Sequence, residues 1–491
     1  MRNYDLKFDF RDSRNLSLVM DLYELTMAQV YFNEGKKDQI VTFDMFYRRN
    51  PDNGGFALFA GLEEVIGFIQ NLHFGEEEIY YLKSLNKFND EFLDYLRHFI
   101  FTGDIYAMQE GSVVFPNEPL LRIEAKIIEA QIVETAILLA INHQTLIATK
   151  ANRVVRAAGG RGVMEFGARR AHNFDAANYG ARAAYIAGVN ASATTSAGQM
   201  FGLPVTGTMA HSFIQSYDSE YEAFLAYAKN YPAQTSLLLD TYDTLRSGVK
   251  NAIKIAHEYL IPNGYRLQSV RIDSGDISYL SKKIRKELDA AGLQDCKIIA
   301  SNSFDEYIIK SLIDQGAQID SFGVGENLIC SKSSPVFGGV YKLSSLLMDG
   351  QYLPKIKISD NVGKLTNPGK KEVYRIYDKE SGKAAADLLT LHDEELLETK
   401  DLTIYHPQDV WKFKTFKAGS YDLRKLLVPI FIGGKLVYDC PEIEDIRAYS
   451  KTERDSMWDE LFRFEYPQEY YVDLTKKLLD LKLSMLESVK K

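Results

Sequence analysis

The sequence predicts an α/β protein built around an irregular parallel βα barrel. Three observations carry that reading. Between residues 160 and 330, short apolar runs alternate with amphipathic stretches of helical spacing, the rhythm of repeated βα units. Each apolar run ends in a small, polar or charged segment, as strand ends facing a ligand do. No Gly-x-Gly-x-x-Gly follows a first strand, which argues against an open dinucleotide-binding sheet.

In chain order, residues 16–32 carry apolar positions at helical spacing and predict a core-facing helix that includes Tyr23 and Tyr31. Ile40 to Tyr47 reads as a strand, and Arg48-Arg-Asn-Pro-Asp-Asn-Gly-Gly as a turn with two positive charges. Residues 57–101 look helical. Residues 103–126 switch to short alternating segments between turns, an antiparallel strand group. Residues 127–157 form a long helical pattern, in which His143 reads as a polar helix residue rather than a ligand.

The alternating region follows. Its runs are Val163-Met-Glu-Phe, Phe201-Gly-Leu-Pro-Val-Thr, Leu237-Leu-Leu, Ser269-Val-Arg-Ile, Lys297-Ile-Ile-Ala and Ile319-Asp-Ser-Phe. Helices are expected over 243–259, 277–291 and 305–315. Six or seven βα units suit a barrel. Beyond residue 340 the rhythm is lost, and strand-like segments lead to a final helix. The expected division is 1–150, 151–345 and 346–491, the last being either a third region or a return of the chain onto the first.

Bulk properties narrow the function. There are 58 Lys plus Arg against 67 Asp plus Glu, a net charge of −9, so general nucleic-acid binding is disfavoured while local basic clusters can still hold phosphate. The first ten residues contain no apolar signal core, and no run is expected to be long and uncharged enough to cross a bilayer. Cys296, Cys330 and Cys440 form neither a metal motif nor a disulfide framework. The chain reads as a cytoplasmic soluble protein without a membrane or nucleic-acid partner.

The predicted strand ends carry the chemistry. They hold Gly167-Ala-Arg169-Arg170-Ala-His172, Gly207-Thr208-Met-Ala-His211, Asp240-Thr-Tyr-Asp243, Arg271-Ile-Asp273-Ser-Gly-Asp276, Ser301-Asn302-Ser and Gly323-Val-Gly325-Glu326. Six polar loops on one rim predict a shared site for an anionic ligand. The arginines offer forked donors for phosphate or carboxylate. Asp240, Asp243, Asp273 and Asp276 are candidates for holding Mg²⁺ through oxygen or through water. His211 can act as acid, base or nucleophile near neutral pH.

Phe166-Gly-Ala-Arg-Arg-Ala, Gly207-Thr-Met-Ala-His-Ser-Phe, Arg271-Ile-Asp-Ser-Gly-Asp and Phe322-Gly-Val-Gly, with Asp21-Leu-Tyr-Glu-Leu-Thr-Met upstream, resemble the nicotinate phosphoribosyltransferase family in order over nearly the whole chain. The resemblance implies a type II phosphoribosyltransferase-like barrel, an N-terminal α/β sandwich, a C-terminal region and a homodimer with sites shared at the interface. It implies transfer of phosphoribose from phosphoribosyl pyrophosphate to nicotinate in NAD biosynthesis and salvage. Mg²⁺ would assist, and ATP hydrolysis would be coupled through a phosphohistidine.

By the same resemblance, His211 is the phosphorylated residue, and Arg169, Arg170 and Asp273 join it in catalysis. Tyr23, from the partner subunit, Thr208 and Arg271 bind nicotinate. Ser301, Asn302, Gly323 and Gly325 hold the 5′-phosphate. Glu326 departs from the threonine found in many relatives and would repel phosphate unless it points away or acts through Mg²⁺. A nicotinamide-specific enzyme would want an acidic residue near Thr208, which is lacking. A quinolinate enzyme has a shorter chain, and a non-catalytic nucleotide sensor would keep the site without turnover.

Overall fold

The computed structural model describes residues 14–358, 365–409 and 411–489. The N-terminal decapeptide read above for a signal core lies outside them. The protein forms two compact units, one from Met1–Thr149 and Val336–Lys491, the other from Lys150–Pro335.

The first unit holds a seven-stranded antiparallel sheet. Its order runs from Gln351–Pro354 through Gly339–Met348, Ile40–Tyr47, Leu121–Lys126, Asp104–Ala107 and Val428–Ile432 to Lys435–Leu436. The 103–126 strand group is therefore real, but its sheet is completed by strands more than two hundred residues downstream. Helices Leu62–Asn71, Glu76–Ser84 and Asp90–Arg97 supply apolar residues to the same core, including Val65, Ile79, Phe92 and Leu96. A second, six-stranded sheet comes from the C-terminal region. Its strands Lys371–Asp378 and Ala384–Leu391 meet helix Ile443–Asp455 through a buried ion network. Arg375 donates to Asp387 at 2.7 and 2.8 Å and to Glu453 at 2.9 Å. Full pairing is what makes three buried charges tolerable.

Two expectations change here. The helix expected from residue 16 begins only at Leu22 and ends at Asn33. Upstream, the Asn15 amide donates to the His73 carbonyl and the His73 N–H donates to Ser17 Oγ, so this short segment is tied down as irregular chain. And one stretch, Ile127–Ala157, is long and apolar enough to cross a membrane by length and composition. It is instead a core element: Ile128, Ile132, Ile137 and Ile141 pack in the first unit's apolar cluster.

The second unit is a curled parallel sheet. Its strands are β1 (Gly162–Glu165), β2 (Ala191–Ser192), β3 (Ser236–Leu238), β4 (Ser269–Ile272), β5 (Lys297–Asn302) and β6 (Ser321–Val324). The order is β2-β1-β6-β5-β4-β3, with every pairing parallel. Strands β3 to β6 pair in sequence order and β6 returns to β1, as in a barrel. Beyond β2 the Phe201–Thr206 run was expected to be the next strand. It contributes a single parallel bridge, Val205 to Ser192. The run fails as a strand because Gly202 takes a left-handed φ of 74° to end helix Thr195–Phe201, and Pro204 has no N–H to give a ladder. No strand pairing joins Val205 to β3 among the described residues, so the barrel is open at that seam.

The interior strand residues Val163, Leu237, Leu238, Val270, Ile272, Ile298, Ala300, Phe322 and Val324 are buried, which explains the near-continuous apolar runs. Helices Ile277–Ala290 and Glu306–Asp314 lie where expected. The helix expected over 243–259 is mixed: α-helical over Val249–Ile255, with wider π turns at Thr244–Gly248 and Ala256–Leu260. Gly248 explains part of this. A Cβ there would sit 2.0 Å from the Leu239 carbonyl, so the helix can press against the strand end only through glycine.

Candidate active site

All six predicted loops leave the C-terminal ends of these strands or of the Val205 bridge. The centre of the site is Arg271 on β4. Its side chain is 14% exposed. Nε donates to Ser301 Oγ at 2.8 Å, Nη1 to Thr208 Oγ1 at 2.8 Å and Nη2 to Asp273 Oδ1 at 3.1 Å. The guanidinium also lies 5.9 Å from the centroid of the Phe166 ring. Five N–H donors with these partners leave at least one free for a ligand.

Asp273 is the second hub. Burial alone would push its carboxyl up, but the Ser301 hydroxyl and the Arg271 charge outweigh burial and hold it below the usual aspartate value. Its Oδ2 stands 3.8 Å from His211 Nε2. His211 is the first residue of the short helix His211–Gln215, and its Nδ1 is 3.0 Å from Thr241 Oγ1. Asp240, at the end of β3, accepts the Asp273 N–H at 3.0 Å and the Ser274 hydroxyl through Oδ2. Its Oδ1 is buried without a hydrogen-bond partner among the described residues.

Thr208, His211, Asp240, Arg271, Asp273 and Ser301 thus form one connected cluster. The remaining predicted residues sit differently. Asp243 and Asp276 are helix caps: Asp243 accepts the Leu245 and Arg246 N–H groups, and Asp276 accepts that of Tyr279. Among the described residues, no group of three His, Cys, Asp or Glu gathers as a preformed metal cage. Arg169 and Arg170 end a single 3₁₀ turn, Ala168–Arg170, and are exposed. The Asn302 side chain accepts from the Ser303 N–H at 2.6 Å.

At the small-residue loop, Gly323 is buried against the Phe166 ring, and a Cβ on it would lie 2.5 Å from two ring carbons. Gly325 is looser, at 3.4 Å from the Phe166 carbonyl. Glu326 bonds Lys332 at 2.7 Å and lies 3.8 Å from Arg170 Nε. Lys332 holds its carboxyl below the usual range, so the charge is already answered by two cations.

Tyr23 belongs to the first unit, on helix Leu22–Asn33, and is 44% exposed. Burial, the charges of Glu134 and Glu24, and a hydrogen bond to Glu134 push its hydroxyl pKa well up. His143 is likewise a residue of the long helix Glu134–Ala157.

Two residues of the site escaped sequence reasoning. Glu165, the last residue of β1, is fully buried, and its carboxylate accepts from the Gly167 N–H, Ser192 Oγ at 2.6 Å and Thr194 Oγ1 at 3.4 Å. Burial raises its pKa against those donors. It fixes the start of the Gly167 loop. Thr241, beside His211, is the other. An acidic residue inside an apolar strand was the available signal for Glu165; a single threonine in a polar loop gave none.

With this geometry described, comparison with known proteins is direct. A model of the nicotinate phosphoribosyltransferase (NAPRTase) family matches residues 162–389. Models of that enzyme's N-terminal and C-terminal domains match 18–142 and 370–482. A nicotinate phosphoribosyltransferase of Bacillus subtilis is 44% identical over 489 residues, covering 99% of this chain and 98% of that protein. One of Caenorhabditis elegans is 34% identical over 96% of this chain and 94% of that protein. The crystal structure of human nicotinic acid phosphoribosyltransferase superposes with a TM-score of 0.85 at 28% identity, covering 95% of this chain and 99% of that one. The type II phosphoribosyltransferase fold is therefore shared, and the chain belongs to the nicotinate phosphoribosyltransferase family.

Proposed function

We propose that this protein transfers phosphoribose from phosphoribosyl pyrophosphate to nicotinate, and that phosphorylation of His211 by ATP drives the transfer. The transfer supports NAD biosynthesis and salvage. Family membership supports the transferase. The observation that carries the coupling is the His211 geometry: an imidazole at a strand-end loop, gripped at Nδ1 by Thr241 and facing a carboxylate at Nε2.

In the transfer, the pyridine nitrogen bonds to C1′ as the bond from C1′ to the pyrophosphate oxygen breaks. The transition state resembles an oxocarbenium ion, so the protein's task is to align the two partners and stabilise the departing pyrophosphate. Thr208 and the unspent Arg271 donor suit the nicotinate carboxylate. The exposed guanidinium groups of Arg169 and Arg170 suit the phosphates. Ser301, Asn302, Gly323 and Gly325 border the 5′-phosphate pocket, where two cations neutralise Glu326.

In the coupling step, Nδ1–H donates to Thr241 Oγ1, which leaves the lone pair on Nε2. Nε2 attacks the ATP γ-phosphorus, ADP leaves, and water later cleaves the phosphohistidine to inorganic phosphate. The Asp273 carboxylate, 3.8 Å from Nε2, offsets the positive charge the ring gains on phosphorylation. Asp240 suits Mg²⁺, because its buried Oδ1 lacks a donor and a hard cation takes one or two carboxylates with substrate phosphates. When bound, Mg²⁺ supplies positive charge against the pyrophosphate. Two copies share sites, with Tyr23 reaching the nicotinate ring of the partner, in a cytoplasmic enzyme.

The test is nicotinate-dependent pyrophosphate release with and without ATP. His211→Ala is expected to abolish coupled ATP hydrolysis and leave weak transfer. ATP stimulation that survives in the variant would refute the coupling.

A further inference from the structure

We propose that Thr241 is a positioning residue for phosphorylation of His211, acting by accepting Nδ1–H so that the ring is held and the lone pair is kept on Nε2. This deepens the coupling described above and rests on it. His211 is held weakly by its own segment. The helix it begins has five residues, its cap position is Ala210, and no side chain caps it. The imidazole is 40% exposed, and its only bond within hydrogen-bonding distance among the described residues is the one to Thr241 Oγ1 at 3.0 Å.

Thr241 itself sits on anchored chain. Before it, Asp240 is pinned by the Asp273 N–H and the Ser274 hydroxyl. After it, Asp243 accepts two backbone N–H groups of the next helix and fixes where that helix starts. That helix is pressed onto the strand end through Gly248. A hydroxyl held from both sides is a fixed reference for a ring on a loosely held loop.

The chemistry gives the hydroxyl a direction. Asp273 Oδ2 stands 3.8 Å from Nε2, beyond hydrogen-bonding distance, so the Thr241 contact at Nδ1 sets the tautomer. Nδ1–H donates to Thr241 Oγ1, and Nε2 keeps the lone pair. Without the hydroxyl the ring loses its one hydrogen bond among the described residues, so neither its rotation about Cβ–Cγ nor its tautomer is fixed. Serine retains the acceptor; valine keeps the shape and loses it.

The experiment compares Thr241→Val, Thr241→Ser, His211→Ala and the parent enzyme. It measures acid-labile ³²P incorporation from [γ-³²P]ATP in single turnovers, and pyrophosphate release with and without ATP. Thr241→Val is expected to slow phosphoenzyme formation about 3- to 10-fold, the effect of one orienting hydrogen bond. That loss should exceed any fall in ATP-free transfer, and Thr241→Ser should recover most of the rate. Equal losses with and without ATP, or no recovery by serine, would overturn the positioning role. Undiminished ³²P incorporation in His211→Ala would overturn the underlying phosphohistidine instead, so the two failures are distinguishable. Melting curves of both Thr241 variants check that the fold is kept.

Discussion

Gly323→Ala gives the sharpest quantitative test of how the strand ends support the site. An added Cβ would stand 2.5 Å from Cδ2 and Cε2 of Phe166 and 3.3 Å from Cβ of Ser301. Ordinary carbon contacts are about 3.5–4 Å, so the ring must retreat by roughly 1 Å. Gly323 cannot yield easily, because it is paired in register between Ser301 on β5 and Met164 on β1. Overpacking of this kind typically costs about 1–3 kcal/mol. The ring it displaces lies against Arg271, whose guanidinium orders Thr208, Asp273 and Ser301. A 1 Å misplacement of a positioning group can cost about 100-fold in rate. The expected result is a loss of about 1–3 kcal/mol in urea unfolding with an unchanged m-value, together with a fall of about 10- to 100-fold in kcat/KM for nicotinate. Gly325→Ala, whose Cβ would meet only an ordinary 3.4 Å contact, should be much milder. Relieving the crowding with Phe166→Leu in the Gly323→Ala background should return part of the stability. Parent-like stability and parent-like kinetics in Gly323→Ala would refute the idea that this packing supports Arg271.

Two further outcomes follow from the first unit. Burial pushes the Glu24 carboxyl up to about 7 against the Thr135 hydroxyl bond, so the folded protein holds this proton more tightly than the unfolded chain does. The stability Glu24 contributes is therefore full below about 4.5 and is lost as pH rises through about 7, and Glu24→Gln should flatten the melting temperature across that window relative to the parent. Tyr23→Ala should raise KM for nicotinate more than KM for phosphoribosyl pyrophosphate; equal rises would make Tyr23 a packing residue only.

Much of the second unit was legible because burial on both faces of a parallel strand writes itself as an apolar run, as at Ser269–Ile272 and Lys297–Asn302. Thr208, His211 and Asp273 were legible as polar residues just past apolar runs, and Arg271 and Ser301 as polar residues within the ends of two of them. What failed was decided partly by local turn and cap chemistry and partly by distant partners. The Phe201–Thr206 run has strand composition, yet Gly202 and Pro204 leave it one bridge. The π turns around Val249–Ile255 depend on the closeness of Gly248 to Leu239, and no local propensity encodes that. Asp243 and Asp276 were read only as cation candidates, although an aspartate just before a helix is as readily its cap. Thr241 acquires meaning only when the chain brings it to a histidine thirty residues earlier.

The open seam connects these findings. A closed barrel would satisfy the backbone between Val205 and β3 with a ladder. Here side chains span part of that gap. The loop after Val205 reaches β4 through the Thr208 bond to Arg271, and reaches the end of β3 through the His211 contact with Thr241. Met209, between them, is buried and roots the loop, while a Cβ on Gly207 would meet nothing within 4 Å. A loop held mainly by side-chain bonds is less rigid than a strand held by a ladder, and each of these bonds sits on a residue of the candidate site. A nicotinate carboxylate at Arg271 would compete with the Thr208 bond, and a phosphoryl group on His211, as proposed above, would load the other end. Occupancy of either position would alter the anchoring of the same loop, a physical route by which the proposed ATP use would couple to base transfer.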